Sequence, residues 1–540
     1  MALHGVNLAL ATTGTESVYR DLLLGMGYSV DEVGRFIGGP GFLAWWNMGN
    51  LEGWGGPLAE HWYEEQQLLQ QQIVGRMREY GIAPVMVGYG GMLPSEGSAR
   101  LGLHTIPTGV WCGFQRPAVL PPTDEAFPHV AERYYHIMDS LYGGADYYAI
   151  DPFHEGGDAS ALNLTMAGRI IYDVMQAGHP DATWVIQAWE ENPRPQLISL
   201  VPRERLLILS LNADAERRVF PYNDYVYCSL LNYGGNVGLF GRVDALMEGW
   251  NEAVNSANCK GVGISSEGIG QNAVMHDLVL ALPWQGEKFS MDRWLKGYVR
   301  ARYGRGDGYA MRAWRQLMAT VYNCPSPRQQ GTRESVFCAR PGLDVKDVSA
   351  WAQSEAYYSM EDVEQAARWM RKAGKRCGES AHYRYDRRDV ERQLNAEWGR
   401  RVLDSVRVAY EGHDVEGVRR GAEKFLSLIA VQDSLLAGEP LFTLAYHLKE
   451  AEAKGGDEAE RAQCRWNLLT QITTWGPRAA SEGGRLHDYA HREWSGVLGS
   501  LYYERWNRYF SYLIGSMEGK AVAAPEFYEV EAAWVDTMDN

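Results

Sequence analysis

The stretch that decides the fold is Tyr147–Asp158, with the sequence YYAIDPFHEGGD. Its first four residues form an apolar run typical of a short buried strand, and Pro152 with two glycines then bends the backbone into a polar turn. A helical pattern follows, from about Ala161 to Ala177. This order of strand, acidic turn and helix is typical of α/β proteins, which place functional side chains at the carboxyl ends of their strands.

The turn carries four ionisable side chains within eight residues: Asp151, His154, Glu155 and Asp158. A structural interpretation is that Asp151 or Asp158 caps the helix while Glu155 is a solvated loop carboxylate. A functional interpretation is that Glu155 carries out acid–base chemistry at the end of the strand. This stretch alone leaves both interpretations open.

A second stretch repeats the layout and favours the functional interpretation. Gly261–Asn272, GVGISSEGIGQN, begins with an apolar strand, places Glu267 between glycines at its end, and runs into a helix. Glycoside hydrolysis uses two such carboxylates, one as acid/base and one as nucleophile or base. We therefore expect Glu155 and Glu267 to converge, with their carboxyl groups about 5–5.5 Å apart if anomeric configuration is retained.

Apolar runs of strand length recur through the first half of the chain. Seven are recognised, at Val6–Leu10, Ile82–Val87, Tyr147–Ile150, Trp184–Ala188, Leu206–Leu211, Val226–Leu231 and Val262–Ser265. Helical stretches such as Trp62–Tyr80 and Asp124–Leu141 alternate with them, which predicts a parallel sheet covered by helices. The closed form of this arrangement is a (β/α)8 TIM-type barrel, and seven strands are one short of it.

The hydrophobic period changes at about Asp292. From there, apolar residues fall at helical spacing, as in Leu394, Trp398, Val402 and Val406. We therefore predict two domains: an N-terminally incomplete (β/α) barrel at residues 1–290, which carries the catalysis, and an all-α domain at residues 291–540.

Composition limits the classes of partner. The chain is 46% hydrophobic and 22% charged, as in soluble globular proteins, and its formal charge of −16 disfavours binding to nucleic acid or to anionic membranes. No apolar run of about 18 residues predicts membrane insertion. The seven cysteines are scattered without a CxxC pair, so neither a disulfide framework nor a structural zinc is indicated, and we expect no metal or cofactor.

Two glycine-rich loops have open interpretations. Gly39–Leu58 contains three tryptophans, which suit either an aromatic plug over the barrel end or a sugar platform that uses Trp54, with Asn50 as a hydrogen-bonding group. Leu231–Gly241, LNYGGNVGLFG, lacks the spacing of a nucleotide-binding loop, and Asn232 suits hydroxyl recognition better.

The same residues carry a family resemblance that runs nearly from end to end. The chain resembles the α-N-acetylglucosaminidases of glycoside hydrolase family 89. The resemblance rests on the segments MALHGVNLAL, FLAWWNMGNLEGWGGPL, YAIDPFHEGG, IQAW, LNYGGNVGLFG, SSEGIGQN, RYG, VYNC, LHDYA and LYYERW. Each piece is short, but their combination is specific.

The resemblance implies a (β/α)8 barrel followed by an all-α domain that helps to wall the pocket. It also implies release of terminal, non-reducing α-linked N-acetylglucosamine from a glycan, with retention of configuration. By position, Glu155 corresponds to the acid/base and Glu267 to the nucleophile. The resemblance assigns substrate binding to Asn50, Trp54, His154, Trp189, Asn232, Tyr503 and Trp506.

The chain departs from the family in two respects. Its opening MALHGVN aligns with the family's second barrel strand, which we interpret as truncation at an internal methionine, in agreement with the seven strands counted. The family often has His where this chain has Leu231 and Val237. For a full-length form the resemblance suggests a secreted, periplasmic or lysosomal protein; the compartment, the oligomeric state and the natural glycan are left open.

Two other functions remain open at this stage. The chain could be a non-catalytic glycan-binding remnant of such an enzyme, or a barrel glycosidase with a different sugar specificity. Turnover of an aryl α-N-acetylglucosaminide distinguishes the first of these from an active enzyme, and a panel of aryl glycosides distinguishes the second.

Overall fold

A computed structural model of the protein describes residues 1–218, 220–268, 270–285, 289–329, 331–352 and 354–539. Its first half contains a seven-stranded, all-parallel sheet in which each strand pairs with the next one along the chain. The strands are β1 (Leu8–Leu10), β2 (Ala83–Val87), β3 (Tyr147–Ala149), β4 (Thr183–Ala188), β5 (Leu206–Ser210), β6 (Asp224–Ser229) and β7 (Cys259–Ile264). All seven predicted strands are confirmed, with shifts of up to three residues at their ends.

The sheet is an open, TIM-like partial barrel. In the part of the chain that the structure describes, no backbone ladder joins β1 to β7. The central strands are largely buried, whereas Leu10 in β1 is 47% exposed and the residues of β7 are half-buried or exposed. The N-terminal turn Ala2–His4 reaches the helix that follows β7, where His4 Nδ1 lies 3.3 Å from Asp277 Oδ1.

Helices follow the strands and cover the sheet. Those of the first half are Thr15–Met26, Val30–Phe36, Leu43–Asn47, Glu60–Glu79, Phe127–Tyr142, Leu164–Gly178, Pro195–Ile198, Ala213–Glu216, Val243–Ala253 and Ala273–Ala281. Two short antiparallel ribbons interrupt the β2–β3 connection, pairing Met92–Leu93 with Ala118–Val119 and Val110–Trp111 with Phe114–Gln115. The sequence did not predict these ribbons, because two-residue strands are too short to show a period.

The helix after β3 begins later than predicted for a local reason. Asn163 caps it, accepting a 3.2 Å hydrogen bond from the Met166 N–H, so the helix starts at Leu164. Asp158 instead forms a turn by accepting from the Ser160 N–H, and Asp151 accepts from the backbone and side chain of Gln187. Neither aspartate therefore caps the helix.

The second half is helical. Its helices are Met291–Tyr303, Gly308–Ala319, Met360–Cys377, Ala381–Glu411, Val415–Leu436, Leu444–Glu452, Glu458–Gln471, Tyr503–Met517 and Phe527–Asp539. One apolar core joins the barrel helices to the first of these, and a second core fills the later ones. Between Gln471 and Tyr503 the chain runs irregularly back over the carboxyl ends of the strands, and there it meets the loops that carry the two glutamates.

Candidate active site

Glu155 lies in the loop after β3 on a constrained backbone. Both Phe153 (φ 60°) and Glu155 (φ 46°) adopt left-handed conformations, which cost free energy for residues other than glycine. Such backbone strain persists only where the surroundings impose it, and it is concentrated at functional sites. The loop after β3 is therefore shaped by its contacts and not by local preference.

The carboxylate of Glu155 lies among hydrogen-bond donors. Asn50 Nδ2 donates to Glu155 Oε2 at 2.5 Å, and the indoles of Trp111 and Trp189 lie near enough to lower the pKa of this carboxyl group. Burial raises the pKa of Glu155, while the hydrogen bond from Asn50 and the nearby Arg116 guanidinium pull it back down. A carboxyl group with a raised pKa suits the role of general acid.

Glu267 follows β7 and faces Glu155. The Gly234 N–H donates to Glu267 Oε2 at 2.5 Å, and the Tyr489 hydroxyl lies 3.1 Å from both carboxylate oxygens. The side chain opens to solvent on one side but is otherwise enclosed by protein, and burial raises its pKa to about 7. The backbone and tyrosine hydrogen bonds oppose that rise, as does the Arg492 guanidinium.

The two glutamates interact electrostatically. The negative charge of Glu155 raises the pKa of Glu267, and both carboxylates raise the pKa of the Tyr489 hydroxyl that lies between the domains. A neighbouring like charge disfavours ionisation, so an ionised Glu155 makes Glu267 harder to ionise. The structure thus brings the two strand-end glutamates to one site.

The glycine-rich loop after β6 supports Glu267. Asn232 donates from Nδ2 to the Gly268 carbonyl at 2.8 Å and accepts from the Gly268 N–H at 2.9 Å, so its amide is committed to fixing the neighbour of Glu267. Gly234 has φ 59°, and a Cβ there would lie 2.4 Å from the Tyr489 carbonyl oxygen. Glycine is required at this position by both backbone conformation and space.

Aromatic rings wall the site. Trp475 packs edge-on against Trp45 at 4.9 Å and against Trp111 at 5.7 Å, and Trp45 lies 6.2 Å from Tyr489. Trp189 lies 5.9 Å from Tyr233 beside Glu155. These rings come from both domains. Trp475 is fully buried, so the flat faces that suit stacking against a sugar are those of the partly exposed rings around it.

A cavity of about 120 Å³ adjoins the Glu155 loop at the carboxyl ends of β1 to β4. His154 forms part of its wall; within the described part of the chain neither of its ring nitrogens has a hydrogen-bond partner. Burial lowers the pKa of His154, so the imidazole is neutral there. The predicted binding residue His154 thus lies in the cavity wall, with both ring nitrogens buried.

Two other predicted binding residues, Asn50 and Trp54, form hydrogen bonds within the protein. Asn50 spends its amide on Glu155 and on Arg116, whose Nη1 donates to Asn50 Oδ1 at 3.1 Å. Trp54 donates from Nε1 to the Trp475 carbonyl at 3.1 Å and packs against Phe114. Like Asn232, these two residues support the site through contacts within the protein.

The helical domain contributes different residues from those the resemblance indicated. Trp506 is fully buried in the helical core, donates to the Phe337 carbonyl at 3.1 Å and packs on Phe425, so it cannot contact a sugar. Tyr503, at the start of the same helix, is 37% exposed. Tyr489 reaches the site in their place, and Trp475, itself fully buried, packs behind it against Trp45.

Several site residues were missed from the sequence. Tyr489 lies in the segment LHDYA and Trp475 in the irregular stretch after Gln471, so the resemblance could have indicated Tyr489. Trp111 lies in the short ribbon and Arg116 directly after it, where no pattern marked them.

Two kinds of feature are absent from the described residues. No group of three or more His, Cys, Asp or Glu side chains there could hold a metal ion. No helix in those ranges combines the length and apolar character needed to cross a membrane.

Comparison with known proteins identifies the family. The model of the α-N-acetylglucosaminidase TIM-barrel domain matches residues 1–286, and that of the C-terminal domain matches residues 294–540. Human α-N-acetylglucosaminidase is 31% identical over 544 residues, which cover 96% of this chain and 71% of the human protein.

Solved structures agree with this match. A family 89 glycoside hydrolase from Clostridium perfringens, in complex with 2-acetamido-1,2-dideoxynojirmycin, superposes with a TM-score of 0.94 at 31% identity. The same enzyme with two glutamates replaced by glutamine, in complex with its substrate GlcNAc-α-1,4-galactose, gives a TM-score of 0.93, also at 31% identity. Each comparison covers 99% of this chain, which spans 62% of the solved chain. The chain belongs to the α-N-acetylglucosaminidase family, glycoside hydrolase family 89.

Proposed function

We propose that the chain hydrolyses terminal, non-reducing α-linked N-acetylglucosamine by a retaining mechanism, with Glu155 as acid/base and Glu267 as nucleophile. The observation that carries this proposal is the meeting of two electrostatically coupled glutamates, from the ends of β3 and β7, between aromatic walls. The bacterial relative's complex with GlcNAc-α-1,4-galactose supports the choice of sugar.

The proposed reaction has two displacements. Glu155 gives its proton to the glycosidic oxygen as the C1–O bond breaks, while a carboxylate oxygen of Glu267 bonds to C1. Glu155, now ionised, takes a proton from water; the water oxygen bonds to C1 and the Glu267–C1 bond breaks. The two carboxyl groups should be about 5–5.5 Å apart for this retaining mechanism, and roughly 9 Å apart for an inverting mechanism.

The active form is the singly protonated pair. Burial raises both pKa values, that of Glu267 to about 7, and the proposed reaction requires Glu155 protonated while Glu267 is ionised. Activity is expected to fall as pH rises, because Glu155 loses the proton that the leaving group needs. It is also expected to fall at low pH, where the nucleophile becomes protonated.

The test is turnover of an aryl α-N-acetylglucosaminide by the wild-type chain and its Glu267→Gln and Glu155→Gln variants. Glu267→Gln should lose nearly all turnover on every substrate. Glu155→Gln should retain activity on substrates with good leaving groups, which need little protonation, and should release the glycosyl group slowly. Equal behaviour of the two variants on activated and unactivated substrates would show that the roles are misassigned.

The same assay separates the alternatives. A folded wild-type chain that binds N-acetylglucosamine without turnover would support the non-catalytic remnant. Faster turnover of another aryl glycoside in a panel would support a different sugar specificity.

A further inference from the structure

We propose that Arg116 is a positioning residue that fixes the acid/base Glu155 in its working geometry; this inference rests on the function proposed above. One guanidinium connects three separate segments of the barrel mouth. Arg116 Nη1 donates to the carbonyl of Gly49 at 3.2 Å, to Asn50 Oδ1 at 3.1 Å and to the His154 carbonyl at 3.2 Å. Its Nη2 donates to the Glu155 carbonyl.

These contacts fall where the backbone needs support. Arg116 binds two carbonyls next to the strained backbone. One belongs to the strained residue Glu155, and the other belongs to His154, which follows the strained residue Phe153. By also binding Asn50 Oδ1, Arg116 orients the amide so that its Nδ2 faces the Glu155 carboxylate. A planar guanidinium can bind several acceptors in fixed directions, which a lysine ammonium cannot do.

Arg116 is itself held rigidly. It is 3% exposed, and it follows the ribbon that pairs Val110–Trp111 with Phe114–Gln115. The tip of this ribbon is packed against the helical domain: a Cβ on Gly484 would lie 2.0 Å from the Cys112 carbonyl oxygen. The guanidinium therefore links the Glu155 loop to a part of the molecule that cannot easily move.

The charge of Arg116 also acts on Glu155. The titratable groups that interact with Glu155 are Arg116, Cys112, Glu190, Glu267 and Tyr489. Among these five, Arg116 is the cation, and it lowers the pKa of Glu155 against the effect of burial. Its loss should move the basic limb of the pH profile to higher pH.

The experiment compares Arg116→Gln and Arg116→Lys with wild type on an unactivated disaccharide and on an aryl glycoside with a good leaving group. Arg116→Gln should lose roughly ten- to hundredfold in kcat/KM on the disaccharide and far less on the activated substrate, because proton donation is what is impaired. Its basic limb should move to higher pH. Arg116→Lys keeps the charge, so it should show the leaving-group effect with an unshifted basic limb.

Arg100→Gln is the matched control, because Arg100 pairs with Glu32 at the surface, and it should behave as wild type. Equal losses on both substrates with unshifted limbs would reduce Arg116 to a structural residue and overturn the inference. If Arg116→Gln does not fold, Arg116→Lys provides the test by itself. A ratio of kcat/KM on the two substrates equal to that of wild type would then overturn the inference.

A measurement without turnover separates this inference from the proposed function. The ¹³C carboxyl resonance of Glu155, assigned with Glu155→Gln, should titrate at higher pH in Arg116→Gln than in wild type. An unchanged titration contradicts the role of Arg116 even if the chain is an active hydrolase. An inactive wild type with a shifted titration contradicts only the proposed function.

Discussion

At the scale of single residues, Tyr489 is the contact through which the helical domain reaches the chemistry. Its hydroxyl lies 3.1 Å from both oxygens of Glu267, and this hydrogen bond lowers the pKa of the carboxyl group. It therefore favours the ionised form of Glu267, which the proposed mechanism requires. It also fixes the direction of the carboxylate relative to Glu155 across the site.

Replacing Tyr489 by phenylalanine should lower kcat/KM by roughly ten- to hundredfold, the value of a hydrogen bond to a charged group. Because the hydrogen bond lowers the pKa of Glu267, its loss should shift the acid limb of the profile to higher pH. The measurement is the pH dependence of kcat/KM, with Tyr222→Phe as control, since Tyr222 is 79% exposed. An unshifted acid limb would contradict this role.

At the scale of elements, the loops carry the site residues, and the strands fix where those loops begin. The seven strands and the two glutamates could be predicted from the sequence, because apolar runs and strand-end carboxylates leave local patterns. Tyr489 could not be found by pattern, since it lies 222 positions from Glu267 and meets it only through the packing of two domains. Trp506 was misplaced for the converse reason: its helical spacing marks a core residue, and the structure buries it there.

Gly234 lies in close contact with the backbone of Tyr489. Alanine at this position must adopt φ 59° and would place Cβ 2.4 Å from the Tyr489 carbonyl oxygen. The loop or Tyr489 must move, and a displacement of about 1 Å at a catalytic contact can cost on the order of a hundredfold in rate. We expect Gly234→Ala to lose about that much kcat/KM while remaining folded.

Gly297→Ala provides the matched control, because no atom lies within 4 Å of a Cβ there and the position is inside a helix. It should keep full activity and gain slightly in thermal stability. Comparable activity in the two variants would show that the close approach of Gly234 to Tyr489 is not needed.

At the scale of the whole molecule, the sheet is open. No ladder joins β1 to β7 among the described residues, and Leu10 at one edge is 47% exposed. Unpaired strand edges expose backbone N–H and C=O groups and invite pairing with other chains. An eight-strand barrel avoids this by closure, which seven strands with the same tilt and shear cannot achieve.

We therefore expect the 540-residue chain to self-associate or to be weakly active by itself. A longer chain that supplies one further parallel strand beside β1, with its helix, should be monodisperse and more active. Light scattering after size exclusion, together with specific activity, tests this. A monodisperse monomer with unchanged activity in both forms would mean that the open edges have no consequence.

The central claim is that Glu155 and Glu267 act by double displacement, and the anomeric configuration of the first product tests it most directly. Proton NMR can follow the H1 signal of the sugar released from an aryl α-N-acetylglucosaminide before mutarotation equilibrates it. Double displacement predicts that α-N-acetylglucosamine appears first and that the β-anomer grows in only at the rate of mutarotation. Initial release of the β-anomer would show a single displacement and contradict the role of Glu267 as nucleophile.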